Sequence, residues 1–232
     1  MDEPNISAHI DGQRFAAAFK AVSATLGTEK TDTETHAMVW LSIWDQTGIE
    51  LATFDGTRAS VAFVPVGDGN KPEHDPDYRG SVRISKTFSF LATSAGASSD
   101  SIVVLKPYGG EQQALPGLEP PPGVEITASS ALDDVAVRAN GIQTTHDGVD
   151  WWRFIDGVTP STTGELSASA ETFAAVVNIA KVTGPLDIGI GIKDGGQVVT
   201  LTPAFGDELG FDFTALMSWS RAPSGGVSKV DA

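Results

Sequence analysis

The sequence predicts an α+β fold of repeated strand–helix–three-strand units, with the helices on one face of antiparallel sheets. Three observations carry this. From Ala37 to Val66 the chain alternates in side-chain character with a period of two through three segments. They are broken at Asp45–Gly48 and at the tight Asp55–Gly56 pair, which is the grammar of a meander. Upstream, Phe15, Phe19, Val22 and Leu26 recur at helical spacing. Near the carboxy terminus the same order of helix and three strands returns.

In chain order, Ile6–Ile10 reads as a first strand and Gly12–Leu26 as a helix ended by Gly27. The loop Thr28–Thr35 is polar. In the meander Val39, Leu41 and Ile43 alternate with Trp40, Ser42 and Trp44, Ile49, Leu51 and Thr53 follow, and Val61 and Phe63 oppose Ala62 and Val64. So little polar surface requires cover on at least one side of the sheet. Gly67–Tyr78 is rich in glycine, proline and charge and reads as an exposed connector. His74 with Glu73, Asp75 and Asp77 matches no standard ligand spacing there.

Gly80–Ile84 then reads as a strand, Ser85–Ala95 as a helix capped by Ser85 and stopped by Gly96, and Ser101–Pro107 as a strand. Tyr108–Gly123 holds four glycines and four prolines and ends in PGLEPPPG, the strongest linker signal in the chain. It places the expected division there: domain one at 1–120, domain two at 121–221 and a disordered tail at 222–232. Val124–Ala128 is a strand, Ala131–Ala139 a short helix or a further strand, and Val149–Ile155 a strand carrying Trp151, Trp152 and Phe154. Glu165–Ser169 is a strand, and Ala170–Lys181 a helix with Phe173, Val176, Val177 and Ala180 on one face. Strands at Leu186–Ile192, Val198–Pro203 and Leu209–Met217 complete the repeat.

Composition bounds the function. The 232 residues are 41% apolar, enough for real cores, and contain no cysteine, which removes disulfides and thiolate metal sites. No apolar run reaches bilayer length, and Met1–Pro4 lacks the basic and apolar regions of a signal peptide, so a cytoplasmic location is expected. Thirty acidic against fifteen basic residues give a net charge of −15, which argues against a simple DNA-coating protein. There is no Walker-type loop, no GxSxG elbow and no HExxH; His9, His36, His74 and His146 are scattered, and the carboxylates gather in turns. No enzyme, cofactor or metal is expected.

Thr53-Phe54-Asp55-Gly56-Thr57-Arg58-Ala59 resembles the ATDGHRLA run that bacterial β-clamps carry between their third and fourth strands. With the helix of about four turns upstream, the chain resembles the DNA sliding clamps, bacterial β-clamp and PCNA-like, over roughly residues 5 to 220. The resemblance implies two clamp-like domains per chain and a non-enzymatic ring that encircles duplex DNA and tethers a DNA polymerase. It also implies a bore lined by helices. Bore candidates are Arg14, Lys20, Lys30, Arg83, Lys86, Arg138 and Lys181, although any one of them taken singly reads first as ordinary solvated charge. Four helices per chain and twelve per ring imply a homotrimer.

Clamp partners, a polymerase and a clamp loader, dock through short peptides. The resemblance puts that groove at Phe54, Thr57, Arg58, Ala59, Leu216, Met217 and Trp219, where the carboxy-terminal Leu216–Arg221 lacks the proline and second methionine of the bacterial MPMR run and Ala59 replaces the usual leucine. Leu216 and Met217 also read as simply completing the core of the last strand. A rival division would run the first domain to about Gly157 and leave half a domain after it; the open sheet edge this implies argues against it. The other functional readings are a non-catalytic β-rich structural or carbohydrate-binding module, on a virion or cell surface, using Trp40, Trp44 and Trp151, and an acidic mimic of DNA. A reduced, phage-type clamp would fit the chain length.

Overall fold

The computed structural model describes residues 6–26, 38–83, 102–108, 123–129, 134–140, 149–161 and 170–218. Strand β1 (Ala8–Asp11) runs into helix α1 (Gly12–Ser23), whose first turn is capped by Asp11 accepting from the Arg14 N–H at 2.8 Å. The meander follows as β2 (Met38–Trp44), β3 (Gly48–Phe54) and β4 (Arg58–Pro65), then β5 (Tyr78–Arg83), β6 (Ile102–Tyr108), β7 (Gly123–Ser129) and β8 (Asp134–Asn140). Beyond these lie α2 (Trp151–Asp156), β9 (Thr159–Pro160), α3 (Ala170–Thr183), β10 (Leu186–Lys193), β11 (Gly196–Pro203), the short α4 (Gly206–Leu209) and β12 (Asp212–Ser218).

Among the described residues all strand pairings are antiparallel and fall into two sheets, one ordered β1-β6-β7-β8 and the other β5-β2-β3-β4-β12-β11-β10-β9. The first eight strands make a closed exchange. β1 leaves its own meander to pair with β6, and β5 leaves its successors to pair with β2. Residues 6–140 therefore form one unit of two interlocked halves. The second sheet then continues past it, because β12 pairs with β4 from Asp212 opposite Phe63 to Met217 opposite Arg58.

Two expectations are corrected here. The division at residue 120 falls inside a sheet, since β6 and β7 are neighbours over their full lengths, Ile102 opposite Ser129 through Tyr108 opposite Gly123. Glycine and proline mark any chain reversal and do not distinguish an interdomain linker from a long connection between adjacent strands. Residues 149–155 form no strand: Asp150 caps the Arg153 N–H at 3.0 Å, and Trp151 and Ile155, four apart, share the buried side of a helix. The open choice for Ala131–Ala139 resolves to strand β8. The expected helix Ser85–Ala95, the strand Glu165–Ser169 and the tail lie outside the described residues.

The central strands of the long sheet are covered on both faces. On one, α1 and α3 pack against each other and against Val39, Leu41, Ile43, Ile49, Leu51, Ala62 and Val64, with Val199, Leu201, Phe213, Ala215 and Met217 continuing the layer. Ala8 and Ile10 of β1 and Val103 and Leu105 of β6 close it from the second sheet. At the end of α1, the hydroxyls of Thr25, Thr53 and Ser60 gather on the Val22 carbonyl at 2.9, 2.9 and 3.2 Å inside the core, beside the Thr25 N–H that donates to it at 3.2 Å. On the other face α2 lays Trp151 and Ile155 on Trp40, Ala52, Ala59, Val61, Val198 and Leu216.

Candidate functional site

The outer face of the long sheet holds a groove where β4 meets β12. Its volume is about 330 Å³, and it is lined by Phe54, Gly56, Thr57 and Ala59 from one side of the seam, Lys193, Asp194, Val198, Leu216 and Ser218 from the other, and Phe154 of α2. Alternation decides which side chains reach it. Leu216 and Ala59 sit opposite each other in register and point outward, whereas Met217 points into the helix-side core.

One wall is a rigid turn. The Asp55 carboxylate accepts from the Thr57 N–H at 2.9 Å, the Thr57 hydroxyl at 2.9 Å and the Arg58 N–H at 2.7 Å, and Arg58 Nε returns to it at 2.7 Å. Gly56, at φ 89°, supplies the left-handed step. The Ser218 N–H donates to the Thr57 carbonyl at 2.7 Å, so the turn is fastened to the last strand. Aromatic rings line the groove beside the turn: Phe54 and Phe154 meet edge to face at 5.8 Å, and the Lys193 ammonium lies 4.7 Å over the Phe154 ring. Together they make an apolar floor with a cation at the rim, a shape that takes side chains of an extended or turned peptide.

Beside the groove a second polar group is held against the sheet. Glu50 on β3 is buried, its Oε2 2.8 Å from Lys71 Nζ, and Lys71 lies 5.5 Å from both the Trp44 and Trp152 rings. Burial pushes the Glu50 carboxyl above its ordinary value, opposed by the Lys71 ammonium and the Trp152 N–H and reinforced by Asp150. This cluster staples the connector after β4 to α2 and the sheet.

Of the groove residues read from the sequence, Phe54, Thr57, Ala59 and Leu216 come together. Arg58 serves Asp55 instead of facing the groove, Met217 lies on the far side of the sheet, and Trp219 is outside the described residues. Phe154, Lys193, Asp194 and Val198 were missed. They come from elements far along the chain whose approach depends on the β4–β12 pairing, which has no local signature in the sequence. Among the basic residues, Lys20 on α1 and Lys181 on α3 are exposed. Arg14 is engaged with the Gly67 carbonyl and with Asp68 at 3.1 Å, over a cavity of about 210 Å³ also lined by Asp207 and Asp212. Arg83 ends β5 and Arg138 sits on β8; Lys30 and Lys86 are outside the described residues.

The three tryptophans of the carbohydrate-binding reading are core residues: Trp40, Trp44 and Trp151 are each 3% exposed, with the Trp40 and Trp151 rings tilted against each other at 4.8 Å. Among the described residues no group of three His, Asp or Glu side chains could hold a metal, and no helix is long and apolar enough to cross a membrane. His74 Nδ1 contacts the Asp75 carbonyl at 2.8 Å, Asp75 pairs with Arg79 and Asp77 accepts from the Asp45 N–H, so that loop is braced by its own charges.

An antiparallel two-sheet unit with interlocked halves, helices on one face and a sheet that continues across a unit junction is the architecture of the DNA sliding clamps. The chain has that fold. It is similar to the DNA polymerase sliding clamp from Pseudomonas aeruginosa, with a TM-score of 0.59 and 9% identity over 95% of this chain and 68% of that one. It is also similar to the DNA polymerase III β subunit from Thermotoga maritima (TM-score 0.56, 12% identity, 94% and 66% covered). The PCNA2–PCNA3 complex from Sulfolobus tokodaii matches at TM-score 0.51 and 12% identity, with 92% of this chain and 99% of that one covered. No protein-family model matches the sequence. No curated protein matches it by sequence.

Proposed function

We propose that the protein is a non-catalytic sliding clamp that encircles duplex DNA and holds a DNA polymerase to it. The observation that carries this reading is the likeness in fold to bacterial and archaeal clamps over more than nine-tenths of the chain. Topological tethering keeps the polymerase at high effective concentration near the primer end and needs no site chemistry. A net charge of −15 is compatible with it, because the duplex experiences the local potential of the bore. Lys20 and Lys181, on helices that pack side by side, supply that potential, with Lys30, Arg83, Lys86 and Arg138 as further contributors.

The groove at the β4–β12 seam is the docking site for the partner's peptide. Its lining of Phe54, Phe154, Val198 and Leu216 takes apolar anchors, and Lys193 takes a carboxylate at the rim. The test is retention on nicked circular DNA, expected for the wild type and lost when the circle is linearised. Lys20→Glu with Lys181→Glu is expected to abolish retention and leave the fold intact. Equal retention on circles and linear DNA, or no effect of the double substitution, would count against the reading. Leu216→Arg is expected to abolish binding of polymerase-derived peptides, read by fluorescence anisotropy, without changing DNA retention.

A further inference from the structure

Helix α2 is six residues long, too short to hold itself together in water, so its place on the sheet is set by what its side chains meet. Trp151 and Ile155 are buried in the outer layer of the sheet, and Phe154 forms part of the groove. Trp152, two positions from Phe154, leaves the helix on the opposite flank and reaches the Lys71 ammonium at 5.5 Å.

The two ends of α2 are held by different means. Beyond the carboxy end, β9 pairs with β10 through Thr159 opposite Ile192 and Pro160 opposite Gly191, and the Ser161 N–H donates to the Ile190 carbonyl at 2.9 Å. A Cβ on Gly191 would overlap Val158 and the Thr159 carbonyl, so the chain is seated there by close backbone contact. Charge holds the amino end. Glu50 projects from β3 in the same outward row as Ala52 and Phe54, its carboxylate 2.8 Å from Lys71 Nζ and turned to the Trp152 indole N–H, whose nitrogen is itself buried. Asp150, the cap of α2, sets a second negative charge against Glu50, and the Ser42 hydroxyl lies 3.5 Å from it on β2. Lys71 lies equally close to Trp44, whose indole N–H donates to the His74 carbonyl at 2.9 Å and fixes the connector at a further point.

We infer that Lys71 and Glu50 are positioning residues for the peptide groove: their pair latches Trp152, fixes the amino end of α2, and so holds Phe154 against Phe54 where an incoming apolar side chain meets it. None of Glu50, Lys71 and Trp152 lines the groove, so what they do to docking passes through α2. Removing the ammonium alone leaves a buried carboxylate facing Asp150, and its relief is to lift the amino end of α2 toward water or to take up a proton. Removing both charges takes away the repulsion with the attraction, and neutral groups of similar shape then pack in their place. Single and double variants therefore part in opposite directions. The effect on docking rests on the groove being the peptide site; the latch itself rests on the fold alone.

The experiment is binding of a fluorescein-labelled peptide with two apolar anchors and an aspartate, read by anisotropy at mildly alkaline pH, beside hydrogen exchange of the same proteins. Lys71→Met is expected to lower affinity about tenfold, the loss that follows when α2 is latched in about a tenth of the molecules. Glu50→Gln with Lys71→Met is expected to recover most of it. Exchange in Lys71→Met should quicken at Trp151–Asp156 and stay unchanged in β3 and β4, and the double variant should return to the wild-type rate. Relative to wild type, the deficit of Lys71→Met should shrink as pH falls and Glu50 takes up its proton. Should Lys71→Met fail to fold, Trp152→Leu, which removes the indole and leaves the ion pair in place, is expected to give the same loss of affinity and the same quickened exchange.

Equal affinity in wild type and Lys71→Met, a double variant as weak as the single one, or quickened exchange spread through β3 and β4 would overturn the inference. A wild type that binds no such peptide, while Lys71→Met frees α2 and the double variant restores it, would sink the docking reading and leave the latch standing. Peptide bound equally well by every variant would do the reverse.

Discussion

The unit formed by residues 6–140 and the stretch 149–218 use one pattern of residues to different ends. In the first, α1 buries both phenylalanines, and three hydroxyls converge on the Val22 carbonyl in its last turn. In the second, α3 buries Ala175, Ile179 and Thr183 and turns its phenylalanine outward, and its counterpart threonine bonds back to the Ile179 carbonyl at 3.1 Å. Amphipathic pattern thus marks a face as apolar; it does not specify that the face is buried.

Four measurements sharpen or break that contrast. The largest effect is expected from Phe15→Ala, about 3–5 kcal/mol of stability lost through the cavity it opens, whereas Phe173→Ala should change urea unfolding by less than about 0.5 kcal/mol. Equal losses would erase the distinction between the two helices. Next, Thr25→Val is expected to cost about 1–3 kcal/mol, since it strips one member from a buried hydroxyl group. The partner substitution Thr183→Val is expected to cost under about 1 kcal/mol, read from the same unfolding curves, because only a hydrogen bond to its own helix is lost.

A third measurement concerns pH. The folded Glu50 carboxyl titrates above its unfolded value, so between the two the folded state holds more protons and stability falls as pH rises through that window, starting near the ordinary value of 4.5. Glu50→Gln is expected to remove this component: the difference in melting temperature between variant and wild type should grow from pH 4.5 upward, and a constant difference would contradict the assignment. The smallest stability effect is expected from Lys20→Glu and Lys181→Glu, each within about 0.5 kcal/mol by thermal melting.

Local physics was legible where it acts alone. The α1 periodicity, the meander and the Asp55–Gly56 reversal are set by neighbours in sequence, and the structure places them within a few residues of the reading. Trp151–Ile155 was misread because aromatic residues favour strands on average, while the Asp150 cap that decides the helix is a single side-chain hydrogen bond. The β4–β12 pairing joins residues about 150 apart and has no local signature, so the sheet edge supposed to be open, the missed groove residues Phe154 and Lys193 and the true extent of the first unit were all hidden with it.

That same pairing has a mechanical meaning. Six backbone steps of one ladder, Arg58–Phe63 against Asp212–Met217, weld the amino-terminal and carboxy-terminal portions into a single cooperative body. Urea should therefore melt the chain in one transition whose slope reflects the whole surface released, and a protease nick between residues 140 and 149 should leave two fragments that stay together until both denature.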